Sequence, residues 1–241
     1  MSQHSSELHS PRYPQALVVM VRVPVAGRCK TRLCPPLQEE QAVGLYRAFL
    51  RDIGRELSQW DAPVDLWIAW CGEVDQPGEL SSYFPADARY LQQQGENLNE
   101  RMDAVFVQLF ELGYARVVMR NSDSPHLPHS FVEQAFAALT QQPGSVILGP
   151  DLDGGYYLVG LDRRADSLFP RVMSTGSVFS ETVAAAAQQG REVVELPAFL
   201  DVDDGDDLCT FWLEFGGRAD VRHWSTWQFI EQQGLMEQLV E

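Results

Sequence analysis

The run Ala-Leu-Val-Val-Met-Val at positions 16–21 constrains this chain more than any other stretch. A short, unbroken apolar run rich in β-branched residues suits a strand covered on both faces, and such strands belong to parallel sheets flanked by helices. The rest of the chain repeats the theme. From about Leu37 to Trp60, the residues Ala42, Leu45, Tyr46, Phe49, Ile53 and Leu57 recur at spacings of three and four, the stripe of an amphipathic helix. Val64 to Trp70 reads as a second strand and, after a turn-rich stretch around Pro77 and Gly78, Arg89 to Gln92 as a short third. A helix bearing Met102, Val105, Phe106 and Leu109 stops near Gly113, and Ala115 to Met119 is another buried strand. Pro128 stands where a helix reaching about Thr140 begins, a favoured place for proline. Ser145 to Leu148 and Tyr156 to Leu161 are strands, Ser177 to Gln189 is a helix capped by Gly190, and Glu192 to Leu196 is a last short strand. The C-terminal stretch with Trp212, Trp224, Trp227 and Phe229 reads as helices covering the core. Strands alternating with helices predict a three-layer α/β/α, Rossmann-like fold around a mostly parallel sheet. One domain over residues 16–241 accounts for the length, with the polar, proline-containing residues 1–15 as a disordered or loosely attached leader.

Composition narrows the classes of function. A net charge of −16 disfavours nucleic-acid binding through the general surface, because that binding needs Lys and Arg to neutralise phosphates. No apolar stretch approaches the roughly 20 residues that cross a bilayer, so no membrane partner is expected. The four cysteines form no C-x-x-C pair and have no histidine cluster beside them, which suits reduced thiols in a cytoplasm and not a zinc site. An anionic ligand therefore needs local cations.

In open α/β sheets the loops at the carboxyl ends of the strands build the ligand site. Three such places stand out. After the first strand, the loop Gly27-Arg28-Cys29-Lys30-Thr31-Arg32 sets three cations beside a flexible glycine, a suitable cradle for a phosphate chain. It matches neither G-x-x-x-x-G-K-[ST] nor G-x-G-x-x-G, and its spacing equally allows a solvated basic loop paired with the many carboxylates. After the strand ending at Met119 comes Arg120-Asn121-Ser122-Asp123-Ser124-Pro125, where Asp123 is placed either to hold Mg²⁺ or Mn²⁺ or to make an ordinary turn or cap. The third place is a pair of acidic segments, Gly149 to Tyr157 and Asp201 to Asp207. The first contains Asp151, Asp153 and the pair Gly154-Gly155; in the second, Asp206 or Asp207 is a candidate helix cap. Tyr156 and Tyr157 suit a core, and His126 and His129 read as surface residues at a helix entry.

Taken in order, P-V-A-G-R-C-K-T-R-L (24–33), G-E-N-L-N-E-R-M (95–102), N-S-D-S-P-H-L-P (121–128), L-G-P-D-L-D-G-G-Y-Y-L-V-G-L (148–161), S-T-G-S-V (174–178) and D-V-D-D-G-D-D-L (201–208) resemble a bacterial family. Its members are glycosyltransferase-like proteins labelled arsenosugar-biosynthesis glycosyltransferases. The resemblance implies the nucleotide-diphospho-sugar transferase, or GT-A, fold, and the pattern is also similar to small nucleotidyltransferases that make guanylylated phospholactate or molybdopterin cofactors. By resemblance, Gly27, Arg28, Lys30, Arg32, Gly95, Leu98, Arg101 and Ser122 are nucleotide-binding, with Lys30 and Arg32 as charged clamps. Asp123 and Asp203 correspond to the metal aspartates, for Mg²⁺ or Mn²⁺, and Asp153, Gly154, Gly155 and Tyr156 face the acceptor. The chain departs from the family pattern at Met173, where a tryptophan is usual, and at Arg120-Asn121, which replace a small residue with glycine.

The resemblance implies a metal-dependent transfer of a sugar from a nucleotide-diphosphate donor to a small-molecule acceptor, with Asp153 as candidate general base. Two alternatives stand beside it. One is a nucleotidyltransferase that joins a nucleoside monophosphate to a phosphorylated small molecule and releases pyrophosphate. The other is a non-catalytic nucleotide-binding module.

Overall fold

In the computed structural model, which describes residues 10–72, 78–172 and 176–240, the apolar run lies in β1 (Gln15–Arg22). β1 pairs in parallel with β2 (Asp65–Cys71), and β2 with β3 (Arg89–Gln92). On its other side β1 pairs in parallel with β4 (Arg116–Arg120). β5 (Val146–Pro150) and β6 (Tyr156–Leu161) are antiparallel neighbours, and β6 also pairs antiparallel with β4. β7 (Val193–Glu195) runs parallel to β5. The order of the seven-stranded sheet is thus β3-β2-β1-β4-β6-β5-β7, with β6 alone reversed.

The seven α-helices among the described residues are α1 (Glu39–Ser58), α2 (Leu98–Glu111), α3 (His129–Gln141), α4 (Val178–Gln188), α5 (Gly205–Phe215), α6 (Ser225–Gln233) and α7 (Leu235–Val240). They cover both faces of the sheet, as the two-sided burial of β1 requires. Leu17, Val19 and Val21 join a core shared with α1, α3, α5 and α6, whereas Ala16 and Val18 point the other way, into a core shared with α2 and α4. Alternate residues of one strand therefore feed two cores, and each fully buried Val or Leu side chain contributes on the order of 1.5–3 kcal/mol.

Element ends lie within about three residues of the periodicity-based ones, with three instructive differences. Arg12 belongs to the folded body and not to a loose leader: its backbone N–H and Nε donate to Asp65 at 2.8 and 3.0 Å. Asp65 is fully buried at the start of β2, and a buried carboxylate needs such a countercharge, which here comes from the chain just before β1. The cap of α5 is Asp204, in place of Asp206 or Asp207; its Oδ1 accepts the N–H groups of Asp206 and Asp207, while Asp207 accepts those of Asp203 and Asp204. Third, His126 is buried and not at the surface, with ring centroids 4.6 to 5.0 Å from Phe199, Phe211 and Phe215, and burial pushes its pKa down to about 3. His129 is half-exposed and sits 2.8 Å from Glu56, as a helix-entry residue would.

The first nine residues, Pro77, and Met173, Ser174 and Thr175 lie outside the described residues. Among the described residues no helix is long and apolar enough to cross a membrane, and all four cysteines are free thiols.

The C-terminal helices are fastened to α1 through Asp52, 97% buried, whose two oxygens accept the N–H groups of Ser225 and Thr226 at 2.7 Å and which pairs with Arg55 at 2.6 Å. Asp52→Ala leaves the buried start of α6 without acceptors and is expected to cost about 2–4 kcal/mol, read as a fall in the denaturant midpoint. An unchanged midpoint would show that α6 is held by its apolar face alone.

Candidate functional site

The carboxyl ends of β1, β4, β5 and β7 bring the three chemistry-bearing places into one cleft. After β1 the chain turns at Gly27 (φ 70°) and again at Lys30 (φ 51°, ψ 38°), a left-handed conformation that a residue with a Cβ adopts at a cost. That turn aims the Lys30 side chain inward, where it is 4% exposed. Its Nζ lies 2.5 Å from Asp123 Oδ1 and 2.7 Å from Asp203 Oδ1, and it donates to the Val202 carbonyl at 2.7 Å. The ring of Phe49 lies below it, 5.5 Å from Nζ. Burial alone would lower the Lys30 pKa, but the two carboxylates override it and hold the ammonium well above its ordinary value. Arg32 is more open, with its guanidinium 2.8 Å from Asp204, 3.8 Å from Asp203 and 3.9 Å from Asp153.

A hydrogen-bonded frame positions Asp123 and Asp203. Partly buried Asp201 accepts Asn121 Nδ2 at 2.6 Å and the Ser124 hydroxyl, and the side-chain Oδ1 of Asn121 accepts the Asp123 N–H at 3.3 Å. The Val202 N–H donates to the Asp123 carbonyl at 2.9 Å, which ties the loop after β4 to the acidic segment before α5. The Asp204–Asp207 capping box then fixes the backbone at Asp203 and leaves its side chain directed at Lys30. Burial pushes the Asp201 carboxyl up to about 7, against the hydrogen bonds from Ser124 and Asn121 and with the charge of Asp123 adding to the rise. For Asp203, burial works upward too, yet Lys30 and Arg32 win and keep it below the usual carboxylate range.

Two cavities meet at this cluster. One, of roughly 390 Å³, lies over the ends of β1, β2 and β3; Arg22, Arg28, Lys30, Arg32 and Arg101 line it together with Gln93 and Ser122. The other, of roughly 490 Å³, lies over β4 and β6 and is lined by Asp151, Asp153, Gly155, Tyr156 and Asp201 among others. Asp123, Asp203, Arg32 and Leu98 border both. Lys30, Arg28, Arg101, Ser122, Asp153, Gly155 and Tyr156 therefore line the cleft alongside these four. Arg101 Nε is buried there without a hydrogen-bond partner in the protein, and the Ser122 hydroxyl is 2.8 Å from that of Tyr46, which accepts the Arg22 N–H.

Gly27, Gly95 and Gly154 line neither cavity. Their glycine is required by the backbone. At Gly154 (φ 87°) a Cβ would come within 2.3 Å of the Gly176 carbonyl, and at Gly95 (φ 137°) within 2.9 Å of the Arg101 nitrogen. Asp151, Asn121, Arg120, Asp201 and Gln93 take part although the sequence assigns them no role. Asp151 shapes the loop before β6 by accepting the Asp153 and Gly155 N–H groups at 2.9 and 2.7 Å. A signal for it exists in the run Asp-Leu-Asp-Gly-Gly at 151–155, but turn chemistry and ligand chemistry use the same residues.

Among the described residues no group of three or more His, Cys, Asp and Glu is arranged to hold a metal ion. Asp123 and Asp203 nevertheless fit a hard divalent cation that takes one or two carboxylates and completes its shell with substrate phosphates and water, because both already converge on one cationic atom.

The chain matches a family described as an uncharacterized protein conserved in bacteria (DUF2064) over residues 56–175. No functionally curated protein matches it in sequence. A crystal structure from Desulfovibrio desulfuricans G20, provisionally named a nucleotide-diphospho-sugar transferase, is 31% identical, with a TM-score of 0.82 over 94% of this chain and 98% of that one. A cytidylyltransferase from Leptospira borgpetersenii serovar Hardjo-bovis shares the fold at 10% identity and a TM-score of 0.53, over 94% and 97% of the two chains. CMP:2-keto-3-deoxy-manno-octonic acid synthetase complexed with CTP does so at 12% identity and 0.52, over 84% and 98%.

Proposed function

Because the chain belongs to the nucleotide-diphospho-sugar transferase-like family, and is a transferase by that membership, we propose that it moves a sugar from a nucleotide-diphosphate donor to a small acceptor. One observation carries this reading: a cation-lined cavity and a carboxylate-lined cavity open onto the same Asp123–Lys30–Asp203 cluster. The nucleotide and its phosphates suit the first, where Arg28, Arg32 and Arg101 offer charge and Arg101 Nε lacks a protein partner. The sugar and acceptor suit the second.

Asp123 and Asp203 would hold Mg²⁺ or Mn²⁺, which when bound supplies Lewis-acid stabilisation of the diphosphate. The protein's own groups supply the rest. Lys30 and Arg32 offset the charge that grows on the leaving diphosphate as its bond to the anomeric carbon breaks, which is where fixed cations act most strongly. The acceptor oxygen forms the new bond to that carbon, and its proton passes to Asp153, an exposed carboxylate in the lining of the second cavity. Met20, Met102, Met119 and Tyr156 wall the second cavity and limit water there.

A thermal-shift screen of nucleotides and nucleotide sugars tests the proposal, because a ligand that binds only the native state at 100 times its Kd adds about 2.7 kcal/mol. One nucleotide-diphosphate sugar is expected to raise the melting temperature by several degrees, and more so with Mg²⁺ or Mn²⁺. Pyrophosphate release from a nucleoside triphosphate in the presence of a phosphorylated acceptor would replace glycosyl with nucleotidyl transfer. Equal nucleotide binding with and without metal, and after Asp123→Ala, would leave a non-catalytic binding module.

A further inference from the structure

We propose that the acceptor is a hydroxyl compound with an apolar body and no phosphate or carboxylate group, and that an amine on it strengthens binding; this rests on the transferase reading of the same site. Charge is sorted along the cleft. The cavity over β1 to β3 gathers Arg22, Arg28, Lys30 and Arg101, whereas the larger cavity over β4 and β6 presents Asp151 and Asp153, with Asp201 among its lining residues.

Its described lining includes two cations: Arg32 stands on the border with the first cavity, where the donor diphosphate would occupy it, and Arg120 is engaged within the protein. Arg32 is bonded to Asp204 at 2.8 Å; Arg120 donates to the backbone carbonyls of Asn121 and Ser124 at 3.1 and 2.6 Å. Neither Lys nor His is among the described lining residues. An oxyanion entering here meets carboxylates and finds these cations committed, so its approach is repelled and its desolvation is not repaid. A neutral hydroxyl suffers neither penalty and donates to a carboxylate, and an ammonium adds attraction to the same groups.

The remaining wall is apolar. Met20, Met102 and Met119 present thioether side chains, with Leu98 and Val178 beside them. Methionines are flexible and polarisable, so such a wall accepts an apolar body without demanding one shape. Discrimination therefore rests on charge more than on outline.

Binding to the full-length chain with Mg²⁺ tests the inference in two stages. Calorimetry with each nucleoside diphosphate comes first, and the absence of any binding would overturn the transferase reading itself. With the bound nucleotide present, 2-phenylethanol, phenylalaninol, phenyllactate and 2-phenylethyl phosphate then form a matched set that differs in charge. Phenylalaninol is expected to bind about 3- to 10-fold more tightly than 2-phenylethanol, and the two anions at least about 10-fold more weakly. Asp153→Lys should reverse the order of phenylalaninol and phenyllactate, an outcome that a merely damaged fold does not produce. Nucleotide binding accompanied by equal or tighter binding of the phosphate or carboxylate compound would overturn the inference and leave the transferase reading standing.

Discussion

Asp123→Asn is expected to lower the turnover of the donor by about 100- to 1000-fold while leaving the fold intact, because on the proposed reading it weakens the hold on the divalent cation that offsets the charge of the leaving diphosphate. The substitution keeps the shape of the side chain and one oxygen that accepts from Lys30, now 2.5 Å from Asp123. The backbone bond from the Val202 N–H to the Asp123 carbonyl is untouched. The side chain is 34% exposed, and ion pairs at that exposure contribute only about 0–1 kcal/mol, so the melting temperature should move by about 4 °C or less. Initial rates under saturating donor, beside a melting curve of the same sample, check both halves. Full activity in the variant would remove Asp123 from the metal and diphosphate site and return it to turn chemistry.

The second large effect is at Lys30. Lys30→Met leaves Asp123 and Asp203, which converge on Nζ at 2.5 and 2.7 Å, facing each other without a countercharge. Breaking a buried pair costs up to about 3–5 kcal/mol, but both carboxylates are about a third exposed, so a loss nearer 1–3 kcal/mol is expected. The informative measurement is what Mg²⁺ or Mn²⁺ does to that loss. Because the ammonium sits between the two carboxylates, a divalent cation competes with it in the natural chain and meets no competitor in the variant. The metal should therefore raise the melting temperature of Lys30→Met by several degrees more than that of the natural chain, while the donor turnover falls. Equal metal-induced shifts in the two proteins would show that the cation does not use the Asp123–Asp203 pair.

Much of this site is legible in the order of residues. Lys30, Arg32, Asp123, Asp153 and Asp203 stand out by their positions after strands and by the succession of six short segments, and all five meet in the cleft. The glycines are harder to read. Gly27, Gly95 and Gly154 mark backbone turns, and the steric need for glycine at positive φ leaves the same mark in a sequence as close approach of a ligand. Asp201 and Asp151 lie inside these segments without an evident role, because nothing in the order Asp-Val-Asp-Asp says which carboxylate is buried as a support and which is presented. His126 reads as a surface residue for a related reason: the aromatic rings that bury it, at Phe199, Phe211 and Phe215, lie more than seventy residues further along the chain.

By itself the sequence determined the alternation of strand and helix, the two-sided burial of β1 and the placing of the candidate site residues in the loops that follow the strands. These follow from periodicity and local backbone preference, which act over a few residues. Tertiary structure alone decided that β6 runs against its neighbours, that Arg12 answers buried Asp65, and that Lys30 reaches a carboxylate 173 positions away at Asp203. Pairings of that kind depend on which loops the packed sheet brings together, and the desolvation of charge that selects them exists only once the core has closed.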